Sequence, residues 1–79
     1  MSLPAYIILE ETPRHILIRD TGHHTGVSVT NAAELVVDSL LHELRGRRLL
    51  YFDSEDDLGE LKVSPQGEFL GFGPAVMDS

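Results

Sequence analysis

Asn31-Ala32-Ala33-Glu34-Leu35-Val36-Val37-Asp38-Ser39-Leu40-Leu41-His42-Glu43-Leu44-Arg45-Gly46 is the stretch that decides the fold. Asn31 and Glu34 have the spacing of a capping box: the Asn side chain accepts from a first-turn N–H and the Glu reaches back. Thr30 is the rival cap, one residue earlier. Ala33, Val36, Val37, Leu40, Leu41 and Leu44 recur at three- and four-residue spacing and form one apolar stripe, with Leu40 at its centre. Glu34, Asp38 and Glu43 lie away from that centre. His42 is a C-terminal cation or an Asp38 partner. Arg45, Arg47 and Arg48 complement the helix dipole, and Gly46 can take the left-handed conformation at the stop. The stretch predicts a helix with one buried face.

Strands are predicted on both sides of it. Upstream, Ala5-Tyr6-Ile7-Ile8-Leu9 is apolar and β-branched, and Pro13 interrupts before His15-Ile16-Leu17-Ile18-Arg19-Asp20 resumes. Two such runs around a short polar connection predict an antiparallel hairpin. Asp20 to Gly26 reads as a loop, and Val27 to Val29 as a short extended piece before the helix. Downstream, Arg48 to Asp53 reads as a central strand and Ser54 to Asp57 as an acidic turn. Leu61 and Val63 alternate with Glu60 and Lys62. Ser64-Pro65-Gln66-Gly67 is a β-turn before a last strand, Glu68 to Phe72. The order β-β-α-β-β-β predicts a two-layer α+β domain over residues 1–79. Its sheet is mostly antiparallel, with four or five strands, and the one helix packs on one face. The ends, 1–4 and 74–79, are expected to be mobile.

Composition narrows the classes of function. The 79 residues include 13 acidic and 6 basic side chains, for a net charge of -7, and no Cys. Disulfides, thiolate catalysis and Cys-based metal sites are therefore excluded. The acidic balance argues against direct nucleic-acid binding and anionic membranes. No run is long and apolar enough to span a bilayer, and the N-terminus lacks a basic leader, so a cytoplasmic protein is expected.

No catalytic motif survives inspection. Asp20-Thr21-Gly22 looks like the aspartic-protease triplet, but Arg19 and His23 flank it where those enzymes carry apolar and small residues. His23, His24 and Asp20 are ligand-type side chains, but adjacent histidines on an extended chain point apart, so they make a weak metal site. From Asp53, the calcium-loop pattern fails at the twelfth position, which is Ser64. No cofactor is expected, and the protein reads as non-catalytic.

The leading expectation is a small interaction module that self-associates as a homodimer through an apolar sheet face. Tyr6, Ile7, Ile8, Leu9, Leu50, Tyr51 and Phe52 fill both sides of their strands, while one helix covers one side. A charged residue at Ile7 or at Ile8 should then unfold the monomer in one case and only break the dimer in the other. The alternative is an acidic regulatory or inhibitory protein, antitoxin-like, immunity-like or DNA-mimicking, that meets a basic partner through Asp53, Glu55, Asp56, Asp57 and Glu60. The third is a metal-binding protein or enzyme that uses the His23/His24 loop.

Overall fold

The computed structural model describes residues 4–24 and 26–75. Of the ends expected to be mobile, 1–3 and 76–79 lie outside the described residues. Pro4 and Pro74 do not: the Pro4 carbonyl accepts from the Thr21 hydroxyl at 2.7 Å, and Pro74 stands in register with Gly59. The elements are β1 (Tyr6–Glu11), β2 (His15–Asp20), α1 (Val29–Leu44), β3 (Arg48–Phe52), β4 (Leu58–Val63) and β5 (Phe69–Pro74).

All five strands form one sheet in chain order. The architecture is the two-layer α+β fold that the element order predicts. Its sheet is mixed: β2 and β3 run parallel, from His15 opposite Arg48 to Arg19 opposite Phe52, while the other neighbours are antiparallel. The helix is the cause. It carries the chain back along the sheet, so β3 starts beside the start of β2.

Helix α1 begins earlier than its capping-box spacing suggests. Ser28, in extended backbone, is the N-cap, and its hydroxyl accepts from the Asn31 N–H at 3.1 Å. Asn31 is therefore a first-turn residue, and Val29 is helical rather than extended. At the far end Arg45 and Gly46 both take positive φ, 47° and 80°. Arg47 then folds back, and its guanidinium donates to the carbonyls of Leu44 at 3.1 Å, Thr12 at 3.2 Å and Glu43. The basic residue thus caps the helix and ties it to the β1–β2 turn.

The core lies between α1 and the sheet. Ile16 and Ile18 of β2, Leu49 of β3 and Leu61 of β4 are fully buried against Ala33 and Val37, with Tyr6, Ala32 and Leu44 around them. Val37, not Leu40, is the centre of the helix face. Leu40 is only partly buried on the β1 side, and Leu41 is exposed beside Gly67. Width explains this. Five strands about 4.8 Å apart span roughly 20 Å, while a helix with its side chains is about 10 Å across. One helix covers the middle strands and leaves the edge strands, β1 and β5, partly open.

The opposite sheet face is not bare. Leu50 is 3% exposed there, although among the described residues no second layer of backbone covers it. Its register neighbours are Leu17 and Glu60. Glu60 pairs with Arg48 at 2.6 Å and with Lys62 at 3.7 Å, and the Arg19 guanidinium lies 5.1 Å from the centre of the Phe52 ring. Long side chains lay their aliphatic stems on the apolar residues and keep their charges in water.

Candidate functional site

Strand β1 is an open edge of the sheet. The Thr21 N–H donates to the Ala5 carbonyl at 2.9 Å, and Ile7 stands opposite Arg19. Antiparallel hydrogen bonds alternate along a strand. Ala5 and Ile7 therefore turn their backbone groups toward β2, while Tyr6 and Ile8 turn theirs outward. A register shift between Ile8 and Glu10 marks a bulge at Leu9. Ile7, Ile8 and Leu9 are 42%, 49% and 44% exposed. Ile7 shares a face with Arg19, and Ile8 shares the helix side with Ile18. At the strand's end Glu10 lies 3.8 Å from His15, and Glu11 pairs with Arg47 at 3.5 Å.

The structure thins the expected interaction set. Tyr6 and Leu50 are buried by their own chain. Tyr51 lies on the helix side over Gly59 and packs on Phe72 with ring centres 5.5 Å apart. Phe52 is half-buried beneath Arg19. Only Ile7, Ile8 and Leu9 keep the exposure expected of them, and they lie along an edge rather than across a face.

The acidic residues Asp53, Glu55, Asp56, Asp57 and Glu60 have different surroundings. Asp53 Oδ1 accepts from the backbone N–H groups of Glu55 and Asp57 at 2.8 and 2.9 Å, so it builds the turn. Asp56, at φ 64°, pairs with Arg19. Glu55 and Asp57 are exposed. Glu60 sits on the sheet, where the Arg48 hydrogen bond holds its carboxyl below the usual range against the opposing effect of burial. A lowered folded value stabilises the protein above the unfolded value, and that contribution is lost as pH falls through the folded one. Glu60→Gln should therefore reduce stability at neutral pH and lessen the loss of stability on acidification, measured by urea unfolding from pH 7 to 3.

The histidine loop assembles a different site. Asp20 and His24 are four residues apart, and the turn between them brings His24 Nε2 to 2.6 Å from Asp20 Oδ1. The turn holds because Asp20 Oδ1 also accepts from the Gly22 N–H at 2.7 Å, at a glycine with φ 80°. Tyr6 stands opposite Asp20 in register, and its ring meets the His24 ring edge-on, centres 5.7 Å apart. Among the described residues neither the Tyr6 hydroxyl nor His24 Nδ1 has a hydrogen-bond partner, though both atoms are buried. The residues Tyr6 and His24 both line a cleft of about 360 Å³ under the loop, walled by Pro4, Val27, Ala32, Leu35 and Val36.

His23 is exposed on the cleft rim. Asp20 and His24 form a pair, and among the described residues no three His, Asp or Glu side chains gather where a metal ion would sit. Tyr6 was invisible as part of this site. The Asp20–His24 spacing is in the sequence, but Tyr6 joins only through the hairpin register.

Burial, the Asp20 carboxylate and Tyr51 push the Tyr6 hydroxyl up to about 12, and burial also raises Tyr51. A raised folded value is a contribution present at neutral pH and lost as pH rises through it. An absorbance titration of the phenolate should show neither tyrosine ionising at its ordinary value. Tyr6→Phe should remove the step near 12.

Comparison of the chain with protein-family models, with curated proteins and with solved structures found no match.

Proposed function

We propose that the protein is a small interaction module that forms a homodimer by pairing β1 with β1 of a second copy. The observation that carries this reading is the run Ile7-Ile8-Leu9. It is consecutive, aliphatic and 42–49% exposed on a strand whose outer backbone groups have no sheet partner among the described residues. Open edges of this kind are templates for another strand. Charge selects the orientation. β1 carries Glu10 and Glu11 at one end only. Parallel pairing would stack them on their copies, whereas antiparallel pairing about a two-fold axis at Ile7 sets them apart. That axis places Tyr6 opposite Ile8 of the partner. Those are the residues whose N–H and C=O groups point outward, so they can exchange hydrogen bonds. The bulge at Leu9 keeps the pairing short, which favours a closed pair over a growing sheet.

The expected result is a dimer by sedimentation equilibrium. Because Ile7 and Ile8 are both exposed, Ile7→Lys and Ile8→Pro should each give a folded monomer. The proline removes an N–H that β2 does not use. A wild-type chain that stays monomeric at high concentration would contradict the reading.

A further inference from the structure

We infer that the cleft beneath the Asp20–His24 turn is a binding site for a small neutral molecule with an apolar body and one hydroxyl or amide group. The walls are apolar: Pro4, Val27, Leu35 and Val36 dominate a space of about 360 Å³, toward the small end of ligand pockets. Two polar atoms of its lining residues lie buried behind its surface, without a partner among the described residues. The Tyr6 hydroxyl belongs to a residue only 8% exposed and has no partner among the described residues, and His24 Nδ1 is in the same position. A buried polar atom left unpaired is costly, so a site that holds two of them is built for something that pairs with them.

Their roles follow from Asp20. A carboxylate only accepts, so the 2.6 Å contact fixes the proton of neutral His24 on Nε2 and leaves the Nδ1 lone pair as an acceptor. The Tyr6 hydroxyl supplies a donor. A group that both gives and takes a hydrogen bond, such as an alcohol, a phenol or an amide, satisfies the two together. Anions fit poorly, because among the described residues no Arg or Lys lines the cleft and the Asp20 carboxylate lies behind it.

The test uses p-cresol and toluene, which share a shape and differ by the hydroxyl. Each is titrated into the full chain while the backbone amides of Ala32, Leu35 and Val36 are followed by NMR. The site predicts saturable shifts with p-cresol and binding about tenfold weaker with toluene, the value of one or two hydrogen bonds in a buried place. Tyr6→Phe, which deletes only the unpaired oxygen, should bring p-cresol down toward toluene. Leu35→Trp, at the exposed rim, should block both. Ile7→Lys should bind as the wild type does, which separates this site from self-association. The inference is overturned by equal binding of the two probes with no effect of Tyr6→Phe. It is also overturned by undiminished binding in Leu35→Trp, or by the absence of saturation up to about 10 mM probe.

Discussion

Leu49→Ala is expected to lower the unfolding free energy by about 2–5 kcal/mol, a large fraction of the stability of so small a domain. Leu49 is fully buried in β3, between Ile16 of β2 and Leu61 of β4 in register, with the helix above. The deletion leaves a cavity that strands on both sides hold open, because each is pinned by its own ladder. Leu70→Ala is the control. Leu70 is 64% exposed on the edge strand β5, and its removal should cost within about 0.5 kcal/mol. Urea unfolding of the two variants reads the difference. Similar small losses from both would mean that the core is elsewhere.

Gly59→Val should cost about 1–3 kcal/mol through the opposite fault, too much volume. A Cβ at Gly59 would lie 2.6 Å from Cε1 of Tyr51, so the ring must move. It cannot move freely, since Tyr51 packs on Phe72 and Phe72 on Phe69, with ring centres 5.5 and 5.2 Å apart. Gly73→Ala makes the comparison fair. Its Cβ would meet Lys62 Cε at 2.9 Å, the far end of a flexible chain, so a rotamer change relieves it. Urea unfolding should show a large loss for Gly59→Val and a small one for Gly73→Ala. Near-ultraviolet circular dichroism should change only for Gly59→Val.

The hairpins and the helix were legible because their signals are local. Pro13, Gly67 and the three- and four-residue spacing from Ala33 to Leu44 act within a few residues. The parallel β2–β3 pairing was not, since it depends on where the helix delivers the chain. The cap shifted to Ser28 because Ser, Thr and Asn all serve that role, and local pattern does not rank them. Reading Leu50 and Phe52 as unmet apolar surface failed for a plainer reason. Arg48, Glu60, Lys62 and Arg19 are charged in the sequence, yet they stand on that same face, Arg48 and Lys62 paired with Glu60 and the Arg19 guanidinium over the Phe52 ring. The edge at Ile7-Ile8-Leu9 was legible as surplus hydrophobicity. That it is an edge emerged only from the strand order.

Hydrogen exchange at two backbone amides distinguishes a paired β1 edge from any other contact between copies. In the single chain the N–H groups of Tyr6 and Ile8 point away from β2 and should exchange as fast as exposed amides do, while that of Ile7 is held by the ladder. In the dimer both become ladder hydrogen bonds. Protection of the Tyr6 and Ile8 amides should grow with protein concentration and vanish in Ile7→Lys, with Ile7 itself protected throughout the wild-type series. Fast exchange at Tyr6 and Ile8 in a sample that sediments as a dimer would contradict it, because the second copy would then be held by some other surface.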